Sequence, residues 1–268
     1  MLIAAILFGV MAFMVKVLTI SVPPEQIVFA RFFIGTLAIL FFVSIRVGRL
    51  TFVNKRLLVF RGIIGASAIV FYFKTASLIP ISDTIVLQMT YPIFATIFAA
   101  IFLRERLRKR SVFAMIIAFV GIVLVASPVF NNFNVGYIYG IISSVLAGGA
   151  IVATRRLRIT DSSWAITFSL MICGAIIGLF LSVGNMVIPD TSGFLLLIGM
   201  ALVATLAQLL LNYSYKFCNV AVGTTLSMLT VPVTVLLAVF FLGENITSSF
   251  AIGSVLILGS VFYLFRSS

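Results

Sequence analysis

The sequence predicts an all-α membrane protein with ten transmembrane helices, arranged as two inverted repeats of five helices. Composition is the first of three observations behind this prediction. Of the 268 residues, 63% are hydrophobic and only 9% are charged, with a mean hydropathy of +1.31. Soluble domains carry roughly 25% charged residues, so this chain has too little polar surface for water. Its apolar stretches are continuous and about 20 residues long, which favours helices over a β-barrel.

Ten apolar stretches can be delimited, and we call them the predicted spans. Short connections rich in turn-forming residues separate them, and none is long enough to form a soluble domain. The predicted spans are Met1–Ile20, Ile27–Ile45, Leu57–Leu78, Thr84–Leu103, Val112–Ala126, Tyr137–Thr154, Trp164–Val183, Phe194–Tyr215, Val222–Leu242 and Phe250–Phe265.

The second observation is the distribution of positive charge. Fourteen of the 18 Lys and Arg residues lie in alternate connections or in the C-terminal tail, and the other five connections contain none. The positive-inside rule then predicts that both termini are cytoplasmic, in a plasma membrane that in a bacterium is the inner membrane. The net charge of +12 is explained by this topology, so we expect lipid around the chain and no nucleic-acid partner.

The third observation is a repeated segment. Thr90–Glu105 contains a Thr-x-Pro followed by an apolar run ending in Leu-x-Glu, and Thr230–Glu244 repeats the pattern. The two prolines and the two glutamates have nearly the same spacing, about half the length of the chain, which predicts two homologous halves, 1–128 and 129–268. Five spans per half is an odd number, so the halves insert with opposite orientations. Such inverted repeats are typical of transporters that use alternating access.

Pro92 and Pro232 fall near the middle of the predicted fourth and ninth spans. Each removes a backbone hydrogen bond, so we expect a disturbed helix at matched places in the two halves. The kinks could serve as paired gates, or as simple bends that shape a cavity.

The sequence lacks residues that enzymes, metal sites and exchangers of cationic drugs usually require. The chain has no His, and no Asp or Glu lies in the middle of a predicted span. Cys173 and Cys218 lack metal-ligand spacing and are best interpreted as small buried residues. We therefore expect no metal, no cofactor and no enzymatic activity, and we disfavour exchange of cationic drugs. A multipass scaffold remains an alternative, although a scaffold would not need inverted repeats.

Three cations fall inside predicted spans, four or five residues from the expected external end. Lys16, Arg31 and Lys74 are therefore candidate binding residues for an anionic or zwitterionic small-molecule solute. The alternative is that these long side chains extend to the interface or pair structurally. Arg61, near the cytoplasmic end of its span, is interpreted as a topological charge.

Uncharged polar side chains provide further candidates for solute binding. Gln88 and Tyr91 share one face of the fourth span, Gln208 and Asn212 share one face of the eighth, and Tyr72 lies on the third. Hydrogen bonds that join helices are the alternative role for these groups.

Several motifs resemble the drug/metabolite transporter superfamily, specifically two tandem EamA-type domains. They are Leu7-Phe8-Gly9 with Lys16, Phe29-Ala30-Arg31-Phe32-Phe33, the two proline-to-glutamate segments, and the glycines Gly121, Gly253 and Gly259. Phe60-Arg61-Gly62 is also similar to the S-adenosylmethionine-carrier branch. The resemblance implies a metabolite transporter, monomeric or homodimeric, with its cavity lined by spans one to four and six to nine. It also implies peripheral fifth and tenth spans at a dimer contact, and a short polar leader that this sequence lacks.

Overall fold

The computed structural model describes residues 1–130, 134–242 and 248–266. Within these residues the secondary structure is helical, and no β-strand is present. The helices are α1 (Leu2–Leu18), α2 (Pro24–Ser44), α3 (Lys55–Leu78), α4 (Ile81–Gln88), α5 (Tyr91–Phe102), α6 (Lys109–Ala126), α7 (Val135–Leu157), α8 (Ser163–Ser182), α9 (Thr191–Ser214), α10 (Val220–Ser227), α11 (Thr230–Leu242) and α12 (Ser248–Arg266).

The helices agree with the predicted spans. Eight helical stretches in the described part of the chain are long and apolar enough to cross a membrane, with Ser82–Phe102 and Val220–Leu242 each counted as one. The shorter apolar helices Leu2–Leu18 and Ser248–Leu264 bring the number to the ten that the sequence predicts. Helix ends differ from the predicted ones by at most three residues. The start of α2 is one such case, because Pro24 occupies its first position, where a missing N–H costs nothing.

The predicted fourth and ninth spans are not single regular helices. Each is divided into a short helix of 8 residues and a longer one: α4 precedes α5, and α10 precedes α11. The break lies at Met89–Thr90 in the first case and at Met228–Leu229 in the second, before the proline rather than at it. A proline lacks the N–H that would bond to the carbonyl four residues earlier, and it disfavours helical geometry in the residue before it. The disturbance therefore falls in the preceding turn.

Helices from the two halves interleave. α3 packs against α7 and α8, α2 against α8 and α9, α1 against α9 and α11, α5 against α7, and α6 against α12. The helices α1–α6 of the first half correspond in order to α7–α12 of the second half. Exchanging each helix for its counterpart reproduces the same set of contacts. Apart from α1 and α7, counterpart helices differ in length by at most one residue, with 24 residues in both α3 and α9.

The core is built from small residues at helix crossings and from medium-sized apolar side chains. One cluster joins Phe32 and Ile39 of α2 to Leu170 and Met171 of α8, and another joins Ile122 of α6 to Met228, α11 and α12. The Phe32 ring covers Gly174, where an added Cβ would lie 2.6 Å from the ring. In lipid, such close packing replaces the hydrophobic effect as the force that joins helices.

Candidate functional site

The two helix breaks meet inside the bundle. Tyr91, the first residue of α5, has its hydroxyl within interaction range of the hydroxyl of Ser227, the last residue of α10. Ser227 is 7% exposed and Tyr91 is half-buried. The helices α5 and α10 pack against each other and Met89 lies against the cluster that contains Met228, so the two segments that the repeat singles out are adjacent.

The first break leaves the Gln88 carbonyl without its usual backbone donor, and α7 places hydroxyl groups beside this turn. Pro92 cannot donate to the Gln88 carbonyl. The Ser144 hydroxyl donates to the Leu87 carbonyl over 2.5 Å and lies 3.4 Å from that of Gln88. Ser143 is 2.9 Å from the Gln88 side-chain oxygen and also donates to the Ala68 carbonyl. The predicted site residue Gln88 thus lies half-buried beside the break, held by α7.

Tyr215 lies beside this region, near the end of α9. It is fully buried, and its hydroxyl has no hydrogen-bond partner among the described residues. Its ring lies against α10 at Gly223, where an added Cβ would be 2.6 Å away. Tyr72, by contrast, is half-buried, with its ring centroid 5.7 Å from that of Phe73.

Gln208 and Asn212 form a buried chain of hydrogen bonds. The Gln208 amide donates to the Asn212 side-chain oxygen over 3.2 Å, and the Asn212 amide donates to the Thr167 hydroxyl over 2.8 Å. Asn212 is 0% exposed and Gln208 is 6% exposed. In this conformation Asn212 joins α9 to α8, and Gln208 bonds to Asn212 within α9. A solute could bind to them only by replacing these bonds.

The three candidate cations lie at different depths below the ends of their own helices. Lys16 is two residues from the end of α1, Lys74 is four from the end of α3, and Arg31 is seven from the start of α2. At 1.5 Å per residue, these depths are about 3, 6 and 10 Å.

The surroundings of these cations also differ. Both lysines are exposed, and the Lys74 ammonium is 5.8 Å from the Tyr139 ring centroid. Arg31 is half-buried, and its Nε has no hydrogen-bond partner in the described part of the chain.

Arg61 was interpreted as a topological charge, but in the structure it is buried inside the bundle. Its side chain is 3% exposed, and its Nε donates to the Thr154 hydroxyl of α7 over 3.0 Å. The position six residues inside α3 was a signal for burial, but the partner on α7 could not be inferred from the local sequence.

The ends of four helices on the predicted cytoplasmic side meet at Glu105. One carboxylate oxygen accepts from Arg155 Nε over 2.9 Å, and the other accepts from the Val220 N–H, also over 2.9 Å. Arg155 also donates to the carbonyls of Tyr215 and Lys216. We call these five residues the Glu105 cluster. The ion-pair partner of Glu105 belongs to α7, although five cations lie in the connection that contains Glu105 itself.

Arg155 was missed at the level of sequence, although one signal was available. Arg155 follows Lys16 in the chain at the same spacing at which Glu244 follows Glu105. Lys16 therefore holds the position in the first half that Arg155 holds in the second. Glu244 lies outside the described residues.

Other side-chain links join connections that the charge pattern places on one side. Asp83 accepts from the backbone of Val129 and Phe130 and from the Tyr137 hydroxyl, all at the predicted external side. Asp161 accepts from the Val53 N–H on the predicted cytoplasmic side. These links agree with the alternation of loops, although they do not decide which side is cytoplasmic.

Asp190 and Cys218, which both lie in connections between helices, have shifted pKa values. Hydrogen bonds from the Ser192 hydroxyl and the Gly193 N–H lower the pKa of Asp190, which caps α9. Burial raises the pKa of the Cys218 thiol, so less of the reactive thiolate is present. Among the described residues, no group of three or more His, Cys, Asp or Glu side chains could hold a metal ion.

An open depression of about 510 Å³ lies at the predicted external side, away from the helix breaks. Its lining is mostly apolar and carries no charged side chain. The lining residues are Gln26, Met186, Val187, Ile188, Pro189, Thr191 and Phe194.

A scan against family models matches the EamA-like transporter family twice, at residues 1–127 and 134–266. The chain belongs to this family. Its tandem EamA domains make it a multipass integral membrane protein of the drug/metabolite transporter superfamily, as the sequence motifs indicated. Members of the family are transporters.

The relatives of this chain are named as transporters of different solutes. The pseudopaline exporter CntI of Pseudomonas aeruginosa is 30% identical over 80% of this chain and 76% of its own length. A riboflavin transporter of Brucella anthropi is 22% identical over 78% of this chain and 75% of its own length. An S-adenosylmethionine uptake transporter of Rickettsia bellii is 21% identical over 90% of this chain and 84% of its own length.

The fold of this EamA-family chain also has a counterpart among solved structures. One crystal structure superposes with a TM-score of 0.79 at 21% identity, covering 98% of this chain and 96% of that one. At this identity the likeness establishes the fold alone.

Proposed function

We propose that this EamA-family protein is a secondary transporter that moves a small organic metabolite across the membrane by alternating access. The observation that carries the proposal is that the two helix breaks are adjacent: α5 packs against α10, and Met89 lies against the core cluster that contains Met228. Discontinuous helices at matched places in two repeats commonly build the solute site of transporters, near the middle of the membrane.

The halves 1–128 and 129–268 are proposed to be inverted repeats. The exchange of helix contacts between halves supports a two-fold relation, and so do the breaks at Met89 and Met228, which occupy matched positions in the two halves. Five crossings per half would then invert one relative to the other. We further propose that both termini face the cytoplasm and that the membrane is the bacterial inner membrane, because of the Lys and Arg distribution.

The Glu105 cluster supports a conformation closed at its cytoplasmic end. It ties the end of α5 in the first half to α7, α9 and α10 of the second. For a cytoplasmic path to open between the halves, the hydrogen bonds of Glu105 to Arg155 and Val220 have to break. Closure by a few exchangeable polar bonds is compatible with reversible rocking, since an ion pair that is still partly exposed to water contributes little stability.

We propose an anionic or zwitterionic solute, because cations outnumber acids within the helices. The proposed binding residues are Lys16, Arg31, Tyr72, Lys74, Gln88, Tyr91, Gln208 and Asn212, with Pro92 and Pro232 as the sources of the helix breaks. A monomer or a homodimer would both present this site. The named exporter at 30% identity favours an amino-acid or drug exporter of the same fold as the second candidate, and a non-transporting scaffold is the third.

Thermal unfolding of the purified protein against a panel of metabolites tests the proposal. The panel should contain amino acids, riboflavin, S-adenosylmethionine and organic acids. A ligand at 100 times its dissociation constant stabilises the folded state by about 2.7 kcal/mol. Solutes that stabilise the protein should then enter proteoliposomes containing it, and not protein-free liposomes. Absence of uptake for every stabilising solute in both membrane orientations would contradict the proposal and favour a scaffold.

A further inference from the structure

Arg61 is a buried cation whose charge is not balanced by a carboxylate among the described residues. It lies six residues into α3, about 9 Å from the start of the helix, and only 3% of it is exposed. Its Nε donates to Thr154, while its Nη1 is buried without a hydrogen-bond partner in the part of the chain that the structure describes. An ionisable side chain at such depth is costly and usually functional.

The carboxylates of the described residues are engaged elsewhere. Asp83, Glu105 and Asp161 accept hydrogen bonds from other connections. Asp190 caps α9, and Glu25 lies in the first turn of α2 on the opposite side of the membrane. A guanidinium keeps its charge in proteins, so deprotonation does not relieve this imbalance. An anion from outside the chain would relieve it.

The surroundings of Arg61 have the features of a small polar site. The Thr154 hydroxyl donates to the Ala150 carbonyl over 2.9 Å, which leaves its oxygen lone pairs to accept from Arg61 Nε and orients the guanidinium. Gly65 has no Cβ. One at that position would lie 2.7 Å from Arg61 Nη1, so the glycine makes room for the free N–H group.

We propose that Arg61 binds the carboxylate of the transported solute through the guanidinium edge that contains Nη1, and that Thr154 is its positioning residue. This inference rests on the proposed transport function and adds a chemical class to it. A planar guanidinium matches a carboxylate geometrically, and the bond is charge-assisted. Because Arg61 is buried between α3, α7 and α8, the carboxylate reaches it only when these helices separate during the transport cycle.

The test uses pairs of probes that differ by the carboxylate. Suitable pairs are S-adenosylmethionine with its decarboxylated form, phenylalanine with phenylalaninamide, and nicotinate with nicotinamide. Binding is measured by thermal unfolding of the purified wild type, Arg61→Met, Arg61→Lys and Thr154→Val. Arg56→Met is the matched control, since Arg56 is an exposed arginine at the start of the same helix.

We expect at least one acid to bind the wild type at least tenfold more tightly than its carboxylate-free partner. In Arg61→Met this preference should vanish, and Arg56→Met should retain it. Thr154→Val should weaken binding of the acid by a smaller factor, since it removes the group that orients the Arg61 guanidinium and keeps the positive charge. If Arg61→Met does not fold, Arg61→Lys takes its place and should bind the acid about tenfold more weakly, because a point charge loses the planar geometry.

The outcomes separate this inference from the transport proposal. A wild type that binds no acid of the set, or an Arg61→Met variant that keeps the preference, overturns the role of Arg61 and leaves transport open. Binding of an acid through Arg61 without uptake into proteoliposomes upholds the site and overturns transport. A preference for phosphate esters over carboxylates, measured with riboflavin 5′-phosphate against riboflavin, would overturn the carboxylate assignment.

Discussion

Gly121 of α6 and Gly253 of α12 cross with their backbones in contact. A Cβ on Gly121 would lie 2.6 Å from the Gly253 carbonyl oxygen, and a Cβ on Gly253 would lie 2.5 Å from that of Gly121. The resemblance implied that the fifth and tenth spans are peripheral helices at a dimer contact. In this structure they pack on each other within one chain, and a dimer stays a prediction.

Alanine at either glycine should destabilise the protein. The obstructing atom is backbone, so the helices have to move apart, at a cost of about 1–3 kcal/mol. After the gain in helix propensity of about 1 kcal/mol from Gly to Ala, a net loss of up to about 2 kcal/mol remains. Thermal or denaturant unfolding in detergent measures the effect. Gly259→Ala on the same helix is the control, because nothing lies within 4 Å of its added Cβ. Equal stability of all three variants would contradict the crossing.

Asn212→Leu should reduce stability because it leaves Gln208 and Thr167 without their shared partner. The expected loss is about 1–2 kcal/mol, between the averages for interhelical bonds in membranes and for orphaned buried groups. Asn185→Leu in an exposed connection is the control. If the amide joins helices, the KM for the solute should not change. A raised KM with unchanged stability would favour a lining role.

Glu105→Gln should loosen the Glu105 cluster and expose the region of the helix breaks to the cytoplasm. A cysteine at Ser227, in a background without Cys173 and Cys218, reports this opening through its reaction with an impermeant thiol reagent in inside-out vesicles. Losing the charge on one partner should raise the labelling rate about tenfold. Glu25→Gln, at the opposite side of the membrane, should leave the rate unchanged. Equal rates in both variants would show that Glu105 does not close this path.

The topology predicts opposite labelling of two positions in the same cysteine-free background. Cysteine at Ile188, which is 96% exposed, should react with an impermeant reagent added outside cells, whereas cysteine at Lys109 should not. Asn132, a further external position by sequence, lies outside the described residues and is expected to react like Ile188. Reversed labelling would mean that the distribution of Lys and Arg had been misinterpreted.

Lys16→Gln and Lys74→Gln test the proposed contact of these cations with an anionic solute. Loss of a charge-assisted bond costs about 1.5–3 kcal/mol, so the KM for uptake should rise at least tenfold while expression is unchanged. Lys55→Gln, at the start of α3, is the control. Normal uptake by both variants would favour side chains that extend to the interface. Poor expression of Lys16→Gln would instead favour a structural role like that of Arg155, its counterpart in the second half of the chain.

Residues near the helix breaks show where prediction from sequence succeeded. The proline at position 92 was sufficient to predict a disturbed helix, because its missing N–H removes a hydrogen bond within the adjacent helical turn. It was not sufficient to show that Ser144 of α7 donates to the carbonyls there, or that Tyr91 meets Ser227, since both serines belong to the other half of the chain. Amide pairs on one helix face could likewise be recognised, but whether they join helices depended on Thr167 of a different helix.

The sequence by itself determined the membrane class, the number and limits of the apolar helices, the alternation of charged and uncharged connections and the repeated segment. Each of these follows from hydropathy, charge or spacing along the chain, and lipid leaves a continuous apolar segment few alternatives to a helix. Tertiary structure alone decided which polar groups meet. Arg61 and Arg155 are both arginines near helix ends on the predicted cytoplasmic side, yet one is buried against Thr154 while the other pairs with Glu105. That difference arises from the way α3 and α7 pack against their neighbours, which the residues around each arginine do not encode.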